Sequence, residues 1–163
     1  MKAEQPPSSS LEKTKALPLD SESYEKIAQF GSVNIYLNNN YLPRIFSVNK
    51  LRAARNIYEI RDSFYKHTID PSSEAYVSQK DYEQLKRFKL ALSKPVIRTY
   101  QPEFIDIEVE AKDYTFLILS DMNYPGWHAF LDAKQITIYE ANGFLRGFLI
   151  PSGKHTLQLK FGE

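Results

Sequence analysis

Residues Phe116 to Trp127 read FLILSDMNYPGW, an apolar run that passes straight into a polar, aromatic turn. Phe116, Leu117, Ile118 and Leu119 leave no polar alternation, which fits a central strand covered on both faces, and the run is too short for a helix. Ser120 and Asp121 end the apolar stretch. Pro125 presets a turn-compatible backbone angle, and Gly126 accepts the positive φ that the next position of a type II turn requires. Tyr124 and Trp127 flank this turn. Two readings of the corner stand side by side. In one, both aromatics pack on the core and Asp121 accepts turn amides; in the other, the corner is the rim of a ligand site.

Outward from this stretch, everything after Val96 is strand and turn. Expected strands run over Val96–Tyr100, Phe104–Glu110, Tyr114–Ser120, Trp127–Leu131, Gln135–Glu140, Leu145–Ile150 and His155–Phe161. Period-two alternation turns Ile105, Ile107 and Val109 inward against Asp106, Glu108 and Glu110, and Leu157, Leu159 and Phe161 inward against Thr156, Gln158 and Lys160. Asp132-Ala133-Lys134, Asn142-Gly143 and Pro151-Ser152-Gly153 punctuate the connections. The expected fold is a mainly β, antiparallel, jelly-roll-like sandwich. Val33–Leu37, whose residues alternate, and Leu42–Val48, read as the returning strand taken up after Pro43, are expected to join it, and Ser23–Phe30 reads as a short turn of helix. A helical insert occupies about 50–93, with one helix from Asn56 to Lys66 and a second capped by Ser78 and carrying Tyr82, Leu85 and Phe88. Residues 1–22, rich in Pro, Ser and Lys, read as a flexible tail, which leaves 23–163 as one domain.

Composition narrows the chemistry. In 163 residues, 21 Lys and Arg balance 20 Asp and Glu for a net charge of +1, so no long-range field favours nucleic acid. With no Cys there is no disulfide, thiolate metal site or cysteine nucleophile. His67, His128 and His155 lack metal-ligand spacing, and neither Walker, GxGxxG nor GxSxG motifs occur, so no metal or cofactor is expected. Asp121, Asp132, Glu140 and His128 are the candidates for acid–base work, and a pair of those carboxylates in one cleft would suit glycoside hydrolysis. Acidic residues in turns more often bond their own backbone. Arg44 and Arg146 interrupt apolar strands and need a carboxylate or carbonyl partner, for which Asp121 and Asp132 are the candidates. Lys80, Lys86, Arg87 and Lys89 form a basic run that reads as a solvated helix face or a patch for anionic headgroups. No apolar run reaches the roughly 20 residues of a membrane-spanning helix.

Three stretches together, YLPRIFSV (Tyr41–Val48), IDPSSEAYV (Ile69–Val77) and LILSDMNYPGWHAFLDAKQITIYEANGFLRGFLIPSGKHTLQLKF (Leu117–Phe161), resemble the C-terminal soluble part of YfhO-type bacterial membrane proteins. The specific pieces are Ser120-Asp121, Tyr124 to Trp127 with Pro125 and Gly126, Asp132, Ala141-Asn142, Arg146-Gly147, Pro151 and Gly153 to His155; Leu42-Pro43-Arg44 and Asp70-Pro71 support them. The chain departs from the pattern at Met122-Asn123 and His128, and Ala133-Lys134 stands where a Gly-containing hairpin turn is usual. The resemblance implies a polytopic parent of the membrane glycosyltransferase-like C superfamily, with a last helix directly after Phe161. Such parents are associated with glycosylating envelope polymers from lipid-linked sugars through an acidic residue in a part that this chain lacks. The implied role is a non-catalytic accessory domain on the extracytoplasmic face of the cytoplasmic membrane. Its implied partners are the transmembrane portion of its own parent chain and envelope polysaccharide or lipid-linked sugar. Asp121, Tyr124, Trp127 and Asn142 are the candidate glycan contacts, since their turns could meet at one end of a sandwich. Pro43, Arg44, Ser120, Pro125, Gly126, Asp132, Arg146 and Gly153 are candidate structural positions. A self-sufficient glycosidase and a structural cap without ligand are the competing classes.

Overall fold

The structure, a computed structural model, describes residues 23–162, so the reading of 1–22 as a tail lies outside the described residues. The chain divides into two compact units at Tyr41/Leu42. Within the first, β1 (Tyr24–Phe30) pairs antiparallel with β2 (Val33–Asn38) in a two-stranded sheet, with a register shift between Lys26 and Ala28. Two expectations change here. Ser23–Phe30 is extended rather than helical, because Tyr24, Ile27 and Phe30 belong to a hairpin closed by Gly31 at φ +58°. The Val33–Leu37 strand takes β1 as its partner and is not a strand of the sandwich.

The second unit is the expected antiparallel sandwich. Its strands are β3 (Ile45–Val48), β4 (Lys50–Ala54), β5 (Glu74–Ser78), β6 (Val96–Tyr100), β7 (Phe104–Ala111), β8 (Thr115–Met122), β9 (Trp127–Leu131), β10 (Lys134–Ile136), β11 (Tyr139–Ala141), β12 (Leu145–Ile150) and β13 (Gly153–Phe161). One sheet has five strands in the order β10-β9-β13-β7-β6, the other four in the order β11-β12-β8-β3. The chain changes sheet between β7 and β8, β8 and β9, β10 and β11, and β12 and β13. One predicted strand, Gln135–Glu140, is in fact two: it breaks after Ile136 so that β10 stays in the first sheet and β11 enters the second.

Period two accounts for the core. Ile105, Ile107 and Val109 of β7 and Leu157 and Leu159 of β13 meet Leu117 and Leu119 of β8 and Phe148 and Ile150 of β12 between the sheets. The alternate residues of β8, Phe116 and Ile118, face the other way and pack with Phe46, Val48, Leu51, Ala75, Val77 and Leu85. The apolar run at Phe116–Leu119 is thus buried on both faces, as its lack of alternation requires. Gly147 lies beneath this second core, where a Cβ would sit 2.5 Å from Cζ of Phe116, so only glycine lets β12 pass the ring. Phe161 departs from its expected inward place: it is 42 % exposed, with its ring tilted onto Trp127 at 5.5 Å.

The insert supplies the second face's cover. Asn56 caps α1 (Ile57–Tyr65) by accepting from the Glu59 amide, and Ser78 caps α2 (Gln79–Leu85) by accepting from the Asp81 amide. The sequence did not announce β4, whose KLRAA lacks β-branched residues; it runs parallel to β5 with α1 between them, a βαβ arrangement. Glu74 on β5 fixes that pairing by binding Arg52 at 2.5 Å and Lys50 at 2.7 Å, which hold its carboxyl below the usual glutamate range. The basic run is a solvated face, in which Lys86 pairs with Glu83 and Arg87 lies over Phe88.

Candidate functional site

The four candidate glycan contacts lie in two loops at one end of the sandwich or at the strand ends that border them, and the loops are tied directly: the Asn123 N–H donates to the Phe144 carbonyl at 2.6 Å. What each candidate does there differs. Asn142, at φ +52°, sits in the tight β11–β12 turn and is buried. Its side-chain carbonyl accepts from the Tyr76 N–H at 2.9 Å, and its own N–H donates to the Tyr76 carbonyl at 2.8 Å. Asn142 therefore extends β5 with a two-bond, strand-like pairing and fastens the insert to the sandwich. Its left-handed backbone suits asparagine better than other branched residues.

Asp121 is also held by the fold. One carboxylate oxygen accepts from Nη1 of Arg44 at 2.7 Å, and the other accepts from the Tyr100 hydroxyl at 2.9 Å and lies 3.9 Å from Nη1 of Arg146. The expected Asp–Arg pair is thus between Asp121 and Arg44, with Arg146 close behind. Burial and then the Asp121 hydrogen bond push the Tyr100 phenol upward from its ordinary pKa. Arg146 points between the sheets beside Phe148, is 4 % exposed, and lies over the Trp127 ring at 4.2 Å. Its Nε and Nη1 have no hydrogen-bond partner among the described residues. Burial lowers its pKa from arginine's usual value, and Asp121 opposes that shift. This cluster closes the end of the core: Arg146 and most of Asp121 are buried, while Arg44 and Tyr100 reach solvent on its outer side.

Tyr124 and Trp127 are placed differently. Gly126 takes φ +101° in the expected position after Pro125, and a Cβ there would lie 2.8 Å from the Phe161 ring. This tight turn leaves Tyr124 62 % exposed and half-buries Trp127 between Arg146, Phe161 and the core. The two aromatics line a shallow hollow of about 310 Å³ with Asn123, His128, Gln135 and Ile136. Gln135 reaches Nδ1 of His128 across it at 3.4 Å. An apolar ring face surrounded by amide and imidazole groups is a surface that can hold a ring-shaped polar ligand by stacking and directed hydrogen bonds. Asn123 and Gln135 were not among the sequence candidates, and His128 was a candidate only for acid–base work, not for ligand contact. Period two along β9, and the hairpin that brings Gln135 back beside it, would have found His128 and Gln135.

The acid–base candidates do not converge. Asp132 sits in the β9–β10 turn with φ +48°, followed by Ala133 at +65°, both non-glycine residues in a left-handed two-residue turn. Its carboxylate accepts from the Thr156 amide at 2.9 Å and faces Nδ1 of His155 at 2.6 Å, while Nε2 of His155 faces the Ser152 carbonyl at 3.2 Å. Facing an acceptor at each nitrogen, His155 has its pKa raised, chiefly by the Asp132 bond, and His155 in turn lowers that of Asp132. The Asp132 turn is at the far end of β9 from Trp127, roughly 13 Å along the strand. Glu140 is exposed on β11 and lines a separate hollow with Ala54, Asn56 and Gly143. Among the described residues no cluster of His, Asp and Glu suits a metal ion. No helix there is long and apolar enough to cross a membrane. No family model, curated protein or solved structure matches the chain.

Proposed function

We propose that this chain is a non-catalytic accessory domain of a YfhO-type bacterial membrane protein related to lipid-linked-sugar glycosyltransferases. In this reading it stands on the extracytoplasmic face beside the transmembrane portion of its own parent and contacts envelope glycan through the Tyr124–Trp127 hollow. The observation that carries the ligand role is the contrast at one end of the sandwich. The polar candidates Asp121 and Asn142 are occupied by the fold, whereas Tyr124 holds an exposed ring beside Trp127 over a hollow bordered by amides. A hydrolytic role finds less support, because Asp121, Asp132 and Glu140 lie in three different places and the first two are already paired.

An open hollow leaves most of a sugar wet, so affinity is expected in roughly the millimolar range, about 4 kcal/mol. The test is a titration with cell-envelope oligosaccharides followed by NMR. Signals of Tyr124, the Trp127 indole, His128 and Gln135 are expected to move together. If none shifts at tens of millimolar sugar, roughly ten times the expected dissociation constant, glycan recognition is abandoned and a structural cap remains.

A further inference from the structure

A second surface, distinct from the Tyr124–Trp127 hollow and independent of its reading, lies along β3. β3 is an outer strand of the four-stranded sheet, paired among the described residues only with β8. The Ser120 N–H donates to the Arg44 carbonyl at 2.8 Å, which sets the phase of the antiparallel ladder: Arg44, Phe46 and Val48 turn their main-chain groups toward β8. Ile45 and Ser47 consequently turn theirs outward, and among the described residues no hydrogen bond reaches either one's N–H or carbonyl. These groups do not lie on an open rim. Ile45 and Ser47 are each only 5 % exposed and form the floor of a groove of about 690 Å³.

The walls of that groove define what fits it. Leu42, Leu92 and Val96 present exposed apolar side chains. Arg44 and Lys94 bring positive charge, and among the described residues no carboxylate lines the groove. Arg44 shares its charge with Asp121, whereas Lys94 has no ion-pair partner among the described residues. Lys94 also borders a hollow with Glu108, Glu110 and Asp132. A sunken strand edge with unpaired donors and acceptors, apolar walls and one lysine outside any described ion pair calls for an occupant with its own main-chain ladder, apolar side chains and a carboxylate for that lysine. A small amphiphile would satisfy the walls and leave the floor unpaired.

We infer that β3 is a strand-addition site for an extended acidic–apolar peptide segment of a partner protein, about five residues long to match the strand. The segment pairs with the outward groups of Ile45 and Ser47 and sets a carboxylate beside Lys94.

The test uses the full chain and a blocked heptapeptide in which valine alternates with glutamate, with a lysine-for-glutamate peptide as control. Amide hydrogen exchange read by NMR is expected to slow about tenfold or more at Ile45 and Ser47 when the glutamate peptide is added, while Phe46 and Val48, already bonded to β8, change little. Lys94→Glu, at an exposed position, is expected to weaken the glutamate peptide about tenfold and to favour the lysine peptide. The inference is overturned if Ile45 and Ser47 do not respond at about 5 mM peptide, or if both peptides act equally. It is overturned as well if the two amides are already protected in the free chain. Protection that depends on protein concentration would assign the edge to a second copy; protection at every concentration would assign it to the chain's own residues.

Discussion

Two neighbouring loops at one end of the sandwich, 122–127 and 142–144, are joined by a single main-chain hydrogen bond and use their side chains in opposite ways. The second loop turns Asn142 inward, where it completes a pairing with Tyr76 and closes the insert over the sheet. The first loop turns Tyr124 outward and spreads Trp127 over Arg146 as half core, half surface. Polar side chains at such a corner satisfy buried main-chain groups, since leaving those unpaired costs more than any weak ligand returns. Rings are what remain for recognition.

Substitutions can break this comparison, beginning with the residue that belongs to both halves. Trp127→Ala is expected to cost about 3 kcal/mol, since it uncovers the buried Arg146 as well as the edge of the core, and to abolish any sugar response. Chemical denaturation measures the first effect, and an unchanged midpoint would mean that the ring adds nothing to the core. Asn142→Ala is expected to cost about 2 kcal/mol, because it orphans the Tyr76 N–H and places alanine at a left-handed backbone position. Asn142→Gly, which relieves the backbone but not the lost bond, should recover only part of that.

The Asp132–His155 pair provides a tie that can be titrated. The folded pKa of His155 is raised above the ordinary histidine value near 6.5, so the pair's contribution is complete below about pH 6.5 and fades as pH rises through the folded value. Asp132, shifted downward, contributes above about pH 4 and loses its contribution as pH falls through its folded value. The stability difference between wild type and His155→Gln should therefore be largest between about pH 4 and 6.5 and remain under about 1 kcal/mol, as Asp132 is half exposed. A difference that grows above neutral pH would refute this assignment. The smallest stability effect belongs to Tyr124→Ala, within about 0.5 kcal/mol, because its ring is mostly in solvent.

Much of this architecture was legible. Phe116–Leu119 announced a strand buried on both faces, and the alternation in β7 and β13 named the inward residues because a sheet face repeats every two positions. Asn56 and Ser78 marked their helices through capping chemistry. Elements decided by tertiary partners were not legible. β4 has no strand propensity and forms because Glu74 and the sheet face above it supply its partners. Val33–Leu37 carries the same alternation as a sandwich strand, and alternation alone does not say which strand it will pair with. At the candidate site, residue types pointed to turns that do meet at one end of the sandwich but not to the direction each side chain takes. Asn142 and Tyr124 read as equals because the Tyr76 main chain that claims Asn142 is 66 residues away.

The central claim is that the exposed ring of Tyr124 and the face of Trp127 form a glycan-contacting surface while the polar residues beside them serve the fold. Its most direct test is the same envelope-oligosaccharide titration performed on wild type and on Tyr124→Ala, with the Trp127 indole signal as reporter and the Asn142 amide as internal control. The account predicts a saturating Trp127 shift in wild type that is lost or weakened about tenfold in Tyr124→Ala, with Asn142 unmoved in both. A Trp127 shift that survives Tyr124→Ala unchanged, or one absent from the wild type, would contradict it.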